Sequence, residues 1–418
     1  MLAEAALSLV CLESLVDGAS RRGFGSIYSD RRRTPAETVG LMRPLMPEFG
    51  ITRLACVTGL DHIGIPVWSA IRPNSRTLAQ SQGKGLDDAA AQASALMEAV
   101  EVATAERTDF PVVRATRREL ANAGLAVDSI DHLLRSGSRP IIDDEPIDWL
   151  EGHDLVAERA VMVPHGAVTF ADARLRSRYW QTSDGLASGN TLWEAVLHGL
   201  CERIERDAMT LWLLRPDDEV MSRCVDAASF RDPALNSLCD AIACAGLQLR
   251  LFDASCDTNT PVFTAFISDP ADGFEDRWKY FDLSSGSGCH PLPVLAAIRA
   301  VTEAAQTRLT TISAARDDFD PRRYFERLDP SLLVYPRSTP QLRPELARPV
   351  APDRGGYLRG LITRLTAVGV DSVILVPFER GERGFAVARI LVPALENPSG
   401  DRAARFGPRA MAFVEARS

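Results

Sequence analysis

A chain of 418 residues exceeds one ordinary compact core, so two domains or two joined halves are expected. Its 46% hydrophobic and 25% charged residues are the balance of a soluble globular protein, while a net charge of -9 and a pI near 5.3 argue against general nucleic-acid binding. No run of 18 or more apolar residues occurs, which excludes an apolar membrane-spanning helix.

The first twenty residues, MLAEAALSLVCLESLVDGAS, have apolar positions at helical spacing broken by Glu4, Glu13 and Asp17, and read as an amphipathic helix rather than a signal peptide. Thr34-Pro35-Ala36-Glu37 reads as a helix start. Arg31, Arg32 and Arg33 before it read as a solvated loop. Residues 51–59 and 64–72 are expected to form a hairpin, followed by an extended TLAQSQGKG and a helix over 87–107. Weak signals fill 111–150: helices at 117–122 and 128–135, then a segment rich in Pro and Asp. From 153, ERAVMVPHGAVTF reads as strand, turn and strand, and TLWEAVLHGLCERIERDAMTLWLL as a helix apolar on most of its circumference, hence buried. A helix at 234–246, strands at 248–253, 261–268 and 278–284, and a third long helix come next. The proline content of 336–352 marks a connector. A helix at 355–368, strands at 370–378 and 385–394 and a polar tail complete the chain.

Three of these helices share one polar pattern. Ser94, Glu98 and Glu101, then His198, Glu202 and Glu205, then Arg299, Glu303 and Gln306 are each spaced i, i+4, i+7. At about 100° per residue, such a triplet occupies an arc of roughly 60°. Each helix follows a segment rich in Gly and Ser: SQGKGL at 81–86, SDGLASGN at 183–190 and SSGSGCH at 284–290. The acids fall 13 and 16 residues after Gly85 and again after Gly189; the third pair falls 15 and 18 after Gly288. These are three related loop-helix units within an α+β fold.

One Glu pair alone reads as a solvated helix face. Repetition after three Gly segments, once on a buried helix, makes that reading the weaker one. Glu98, Glu101, Glu194, Glu202, Glu205 and Glu303 are six carboxylates, with Ser94, Asn190 and Gln306 as neutral oxygen donors. Converging acids need cations between them, and ligands that are all oxygen select a hard cation, pointing to Mg²⁺ carried with phosphates. Gly-rich loops at helix N-termini would offer N–H groups to those phosphates, with Lys84 as a point charge, so a nucleoside triphosphate site is expected. His198 alone reads as a core or supporting histidine, and Arg206 as near enough to line an edge. Neither a Walker A loop nor a protein-kinase motif set is present. Eight scattered cysteines without a CxxC pair suggest reduced thiols and a cytoplasmic location.

The motifs Ser94-Ala-Leu-Met-Glu98-Ala-Val-Glu101, Asn190-Thr-Leu-Trp-Glu194, Glu202-Arg-Ile-Glu205-Arg206 and Glu303-Ala-Ala-Gln306 resemble, in order, the ATP and Mg²⁺ motifs of the YcaO-domain family. The likeness runs from about residue 50 to 320. GITRLACVTGLDHIGIPVWSAIRPNSR and TRLTTISAARDD narrow it to the branch that works with a TfuA-type partner. It implies a YcaO-type fold around a central nucleotide site: a helical segment at 1–50, an ATP-binding core at 51–320 with halves 51–150 and 151–320, and an α/β part at 321–418. It implies ATP and Mg²⁺ as cofactors, with Glu202, Glu205 and Arg206 catalytic. Lys84, Ser94, Glu98, Asn190, Arg206 and Gln306 would hold nucleotide, and Glu98, Glu101, Glu194, Glu202, Glu205 and Glu303 metal.

The implied reaction belongs to the biosynthesis of ribosomal peptide products. A backbone carbonyl oxygen attacks the γ-phosphate, a nucleophile adds to the amide carbon, and phosphate leaves. An external sulfide equivalent gives a thioamide, whereas a Cys, Ser or Thr side chain gives an azoline. The chain ends FVEARS rather than in the PxPxP tail of many azoline-forming members, and no fused leader-recognition or E1-like domain precedes residue 50. Both features favour a stand-alone thioamidation enzyme with a peptide or protein substrate, a TfuA-like partner and a sulfur donor. A cyclodehydratase and a nonenzymatic nucleotide-binding scaffold are the alternatives, and homodimerisation is left open.

Overall fold

The computed structural model describes residues 12–19, 28–170, 177–270, 277–314, 316, 320–347, 356–397 and 406–417. In chain order it opens with α1 (Leu12–Ala19) and α2 (Pro35–Met42), then β1 (Arg53–Cys56), β2 (Val67–Ile71), β3 (Gln80–Lys84) and the long helix α3 (Asp88–Ala105). Next come β4 (Val113–Ala115), α4 (Arg117–Asn122), β5 (Ala126–Val127), β6 (Ile147–Asp154), β7 (Arg159–Pro164), α5 (His165–Val168), β8 (Leu186–Gly189) and the second long helix, α6 (Leu192–Trp212). They are followed by α7 (Asp217–Ser222), β9 (Cys224–Val225), α8 (Pro233–Cys244), β10 (Gln248–Asp253), β11 (Val262–Ser268), β12 (Leu283–Cys289) and the third long helix, α9 (Pro293–Ser313). Last are α10 (Val334–Arg337), α11 (Tyr357–Ala367), β13 (Ile374–Arg380), β14 (Ala386–Leu391) and α12 (Pro408–Glu415).

The chain divides into two compact units that each draw on separated stretches: residues 1–33, 100–207 and 353–418, and residues 34–99 and 208–352. The first holds a seven-stranded sheet in the order β5-β7-β6-β13-β14-β8, with β4 added on β6. Every pair in it is antiparallel except β5 on β7. Trp149, Leu120, Ile130, Val163 and Ile374 lie at the centre of its core, and the indole N–H of Trp149 donates to Ala115 O at 2.9 Å. The second unit holds two antiparallel sheets, β1-β2-β3 and β12-β11-β10-β9. All seven residues of β11 are buried, as expected for a central strand built from VFTAFIS.

The α+β class and the hairpin are as the sequence predicts, since β1 pairs with β2 in antiparallel register. Four local expectations change. Residues 128–135 give only a short 3₁₀ turn at Asp131–Leu133, the second strand expected near 165–170 is α5 instead, and the strand expected at 278–284 is a 3₁₀ turn at Tyr280–Asp282 with only its last two residues in β12. The polar tail forms α12, with Pro408 in its first turn. Of the N-terminal helix, residues 1–11 lie outside those described, as does the latter part of the 336–352 connector.

The largest change concerns the three Gly segments: SQGK of the first and SSGSGC of the third are strand, not loop, and so is Leu186–Gly189, half of the second. Gly83 in β3 passes so close to α3 that a Cβ there would lie 2.0 Å from Ala95 N, and one on Gly286 in β12 would lie 2.2 Å from Ala304 N of α9. Neither glycine has positive φ. Glycine is therefore required for the close approach of strand to helix, not for an unusual turn. Tight strand-helix seating fixes which face of each helix carries its polar stripe.

Candidate functional site

In the first unit, α6 begins with its polar face already engaged. Glu194, 2% exposed, accepts from the backbone N–H groups of Arg32 at 2.7 Å and Asn190 at 2.8 Å, and from Asn190 Nδ2 at 3.1 Å. Arg31 Nη1 lies 3.5 Å from the same carboxylate and donates to Ser188 O at 3.0 Å. Burial disfavours the Arg31 charge, but Asp30, Glu194 and Glu101 more than offset it, and the guanidinium is held more firmly protonated than usual. Ser188 Oγ donates to Glu101 at 2.6 Å, and Arg33 reaches Asn190 Oδ1 at 3.5 Å. The arginine run read as a solvated loop is thus folded onto Glu194. No local signal could show this, because the partners are about 160 residues apart.

Two turns further along α6 the setting differs. Glu202 accepts one N–H, from Gly185 at 3.0 Å, and Arg206 is 3.7 Å away. Burial pushes the Glu202 carboxyl up to about 7, further than Arg206 pulls it down. Glu205, 8% exposed, faces Arg206 at 3.8 Å. Asp184 lies 3.5 Å from Arg206 and 3.8 Å from Arg203. Burial disfavours its charge, yet Arg206, Arg203 and Arg389 keep the Asp184 carboxyl below the usual range. Arg389 comes from the apolar strand β14, is 1% exposed and donates to Thr182 O at 2.6 Å; burial lowers it to about 10. Asp184, Arg203 and Arg389 are missing from the residues singled out in the sequence. A lone arginine in the run FAVARILV, which can only be buried, was the available signal for the last.

In the second unit, Lys84 at the end of β3 pairs with Glu303 of α9 at 2.5 Å. Glu303 also faces the Ser287 N–H at 3.4 Å. Glu98, on the half of α3 belonging to this unit, is pushed up to about 7 by burial, against the opposing pull of Lys84 and Arg316 and a hydrogen bond from the Gln82 backbone. Gln306 Nε2 donates to Gln82 O at 3.1 Å, and Thr310 Oγ1 donates to Gln82 Oε1. Gln306 Oε1 and Gln82 Nε2 are then buried without a hydrogen-bond partner. Such an acceptor and donor are costly unless something else meets them. Ser94 is half-buried one turn before Glu98, and His198 is half-buried on α6. Arg299, the first member of the third triplet, donates to Cys289 O at 3.1 Å.

These donors are oxygen atoms and amides, with no thiolate among them, as a hard cation requires. Two carboxyls held near neutrality by burial are groups whose charge a cation would restore. Among the described residues, no group of three or more His, Cys, Asp or Glu side chains could by itself hold a metal ion. Mg²⁺ with a nucleotide needs only one or two protein carboxylates, the rest of its shell being phosphate and water. The residues therefore fit Mg²⁺ and a polyphosphate. The described cysteines are free, and no helix among the described residues is long and apolar enough to cross a membrane.

A family model described as YcaO cyclodehydratase, binding ATP and Mg²⁺, matches residues 82–396 and so runs on through β13 and β14. An uncharacterised protein from the tfuA 3′ region of Rhizobium leguminosarum bv. trifolii is 40% identical over 416 residues, covering 96% of this chain and 97% of the relative. An uncharacterised protein of Methanothermobacter thermautotrophicus is 33% identical, covering 87% and 94%. Among solved structures, a heterocyclase in complex with substrate and cofactor aligns with a TM-score of 0.71 at 21% identity, over 88% of this chain and 53% of that one. YcaO from Methanopyrus kandleri bound with AMPPCP and Mg²⁺ aligns with a TM-score of 0.68 at 21% identity, over 91% and 96%. At those identities the likeness establishes the fold.

Proposed function

The chain belongs to the YcaO family, whose cofactors are ATP and Mg²⁺, and from that premise we propose that it activates a peptide backbone amide by O-phosphorylation and replaces the oxygen with sulfur. The observation that carries the thioamide reading is the relative named for its place beside tfuA, matched along nearly the whole of both chains. A TfuA-type protein is accordingly the partner, and a sulfide equivalent the co-substrate. Bound Mg-ATP supplies the phosphoryl group that turns the amide oxygen, a poor leaving group, into phosphate.

The chain's own residues bind and compensate. Lys84, Ser94, Glu98, Asn190, Arg206 and Gln306 hold the nucleotide, and Glu98, Glu101, Glu194, Glu202, Glu205 and Glu303 hold the metal ions. Gln306 Oε1 and Gln82 Nε2, otherwise unmatched, supply one neutral acceptor and one neutral donor. Glu202 and Glu205 act at the reacting phosphoryl group together with Arg206, whose distances of 3.7 and 3.8 Å leave their carboxylate oxygens with lone pairs to spare. No side-chain nucleophile is needed, because the amide oxygen is the attacking group.

The family description as a cyclodehydratase favours a second reading, azoline formation on Cys, Ser or Thr of a precursor peptide. Mass spectrometry of the peptide product separates the two. A gain equal to the difference between sulfur and oxygen supports the thioamide, and loss of one water supports the azoline. An unchanged mass, with ATP, Mg²⁺, sulfide and partner all present, contradicts both and leaves a nonenzymatic scaffold.

A further inference from the structure

The described chain holds a cavity of about 820 Å³ in the first unit, lined by Arg135, Ser136, Gly137, Ser138, Arg139, Ser177 and Arg178. Its frame is rigid. Residues 133–135 run antiparallel to 178–180, with Arg135 N–H donating to Arg178 O at 2.9 Å and Trp180 N–H to Leu133 O at 2.7 Å. Tyr179, buried between them, donates its hydroxyl to Ser129 O at 2.9 Å. The floor is a tight turn in which Ser138 N–H returns to Arg135 O at 3.0 Å and Gly137 has φ of 77°. Such a turn places Arg135 and Arg139 at its two ends.

The charges here do not balance. Glu145 takes both terminal nitrogens of Arg178 in a two-pronged pair and lies within the field of Arg139, which together with the Arg178 hydrogen bond holds its carboxyl below the usual range. Among the described residues, Glu145 thus meets Arg178 and Arg139, while Arg135 borders the same cavity. The guanidiniums of Arg135 and Arg139 make no hydrogen bond or ion pair among the described residues. In a chain of net charge -9 this cationic excess is a local exception. Neighbouring arginines behave differently: Arg117 and Arg118 are paired with Asp143 and Asp144.

We propose that this cavity docks an acidic peptide segment, its carboxylates taken by Arg135 and Arg139 and by the hydroxyls of Ser138 and Ser177. Guanidinium forks match carboxylates in geometry, and hydroxyls adapt to either oxygen. The volume lies in the range of sites that hold a molecule of many atoms, so a run of residues fits better than a single oxyanion. Among the described residues the lining has no aromatic side chain on which a base could stack, which disfavours a nucleic acid. The inference rests on the reading that the chain handles peptides, and the site would engage an acidic stretch of the substrate peptide through charge rather than by chemistry.

The test is binding alone, so its failure would leave the reaction assignment untouched. Fluorescence anisotropy of a labelled octaglutamate peptide is measured on the full chain at low salt, against wild type, Arg135→Glu/Arg139→Glu and the control Arg322→Glu. Arg322 is an exposed arginine of the other unit. The double variant should bind at least about tenfold more weakly and lose most of the salt dependence, as removal of two charge contacts predicts, while the control stays within about twofold. Thermal unfolding of each variant at the wild-type midpoint would show that folding is intact. The proposal is overturned if octaglutamine binds as well as octaglutamate or if the control weakens binding equally. It is also overturned if an eight-nucleotide dT strand binds more tightly than the peptide. Displacement by inorganic phosphate at peptide-equivalent concentration would identify a simple oxyanion site and contradict a peptide one.

Discussion

Glu194 and Glu202 lie on one buried helix, on one stripe, eight residues apart, yet they occupy opposite electrostatic settings. Glu194 is met by three hydrogen-bond donors within 3.1 Å and a guanidinium at 3.5 Å. Glu202 has one backbone donor, and its nearest arginine is at 3.7 Å, so burial dominates and lifts its carboxyl to about 7. Of the two, Glu202 is the carboxylate with more to gain from a bound cation. A carboxylate as well met as Glu194 anchors the arginine segment and Asn190 whether or not a metal ion joins it. One whose compensation is partial is completed only by a ligand.

Removing the Glu202 charge should separate function from stability most sharply. Glu202→Gln should lower ATP turnover with peptide present by about 100-fold or more, the scale seen when a group stabilising developing charge is lost. Its thermal midpoint at pH 8 should equal or exceed wild type, because a poorly compensated buried charge is gone while the Gly185 N–H keeps an acceptor. A drop in both would erase the distinction between the two residues. The converse change, Glu194→Ala, strands three donors and the Arg31 charge and should cost about 3–5 kcal/mol in chemical denaturation. Arg31→Ala should cost less, about 1–3 kcal/mol, since the backbone donors to Glu194 survive. If Arg31→Ala proves neutral, Glu194 does not anchor the arginine segment.

The pH dependence of stability is the finest of these tests. With its folded value near 7 against an ordinary 4.5, Glu202 keeps a proton between those values that the unfolded chain has released. It therefore makes stability fall as pH rises through that window, by about 1.4 kcal/mol per pH unit where its titration is complete in one state only. His153, buried beside Arg380 and lowered to about 4 from 6.5, has the opposite sign: stability is lost as pH falls from 6.5 towards 4. Glu202→Gln should thus tilt the stability profile upward with pH between about 5 and 6.5, and His153→Gln downward. Unchanged slopes, read from urea midpoints in that range, would contradict the compensation argument.

The polar stripes are legible in the sequence because helical spacing is local and strict. Glu98, Glu202 and Glu303 follow from it, and so does the burial of α6. The role of the glycines is not, since a Gly-Ser run is compatible with a phosphate loop or with a strand pressed on a helix, and only the distance from Gly83 to Ala95 N decides. Long-range compensation is equally hidden. Arg31–Arg33 have the composition of a solvated loop, and only folding brings them to Glu194 and Asn190. Arg389 was closer to being readable, because an arginine inside an apolar strand must find acids such as Asp184.

In the proposed reaction the peptide's own carbonyl oxygen attacks phosphorus. A substrate peptide carrying ¹⁸O at the modified backbone carbonyl, turned over with Mg-ATP, sulfide and partner, tests it directly. Mass analysis of the inorganic phosphate should find the label there in proportion to product, and no label with Glu202→Gln. Label appearing in water or retained in the peptide, with product formed and the phosphate unlabelled, would contradict it.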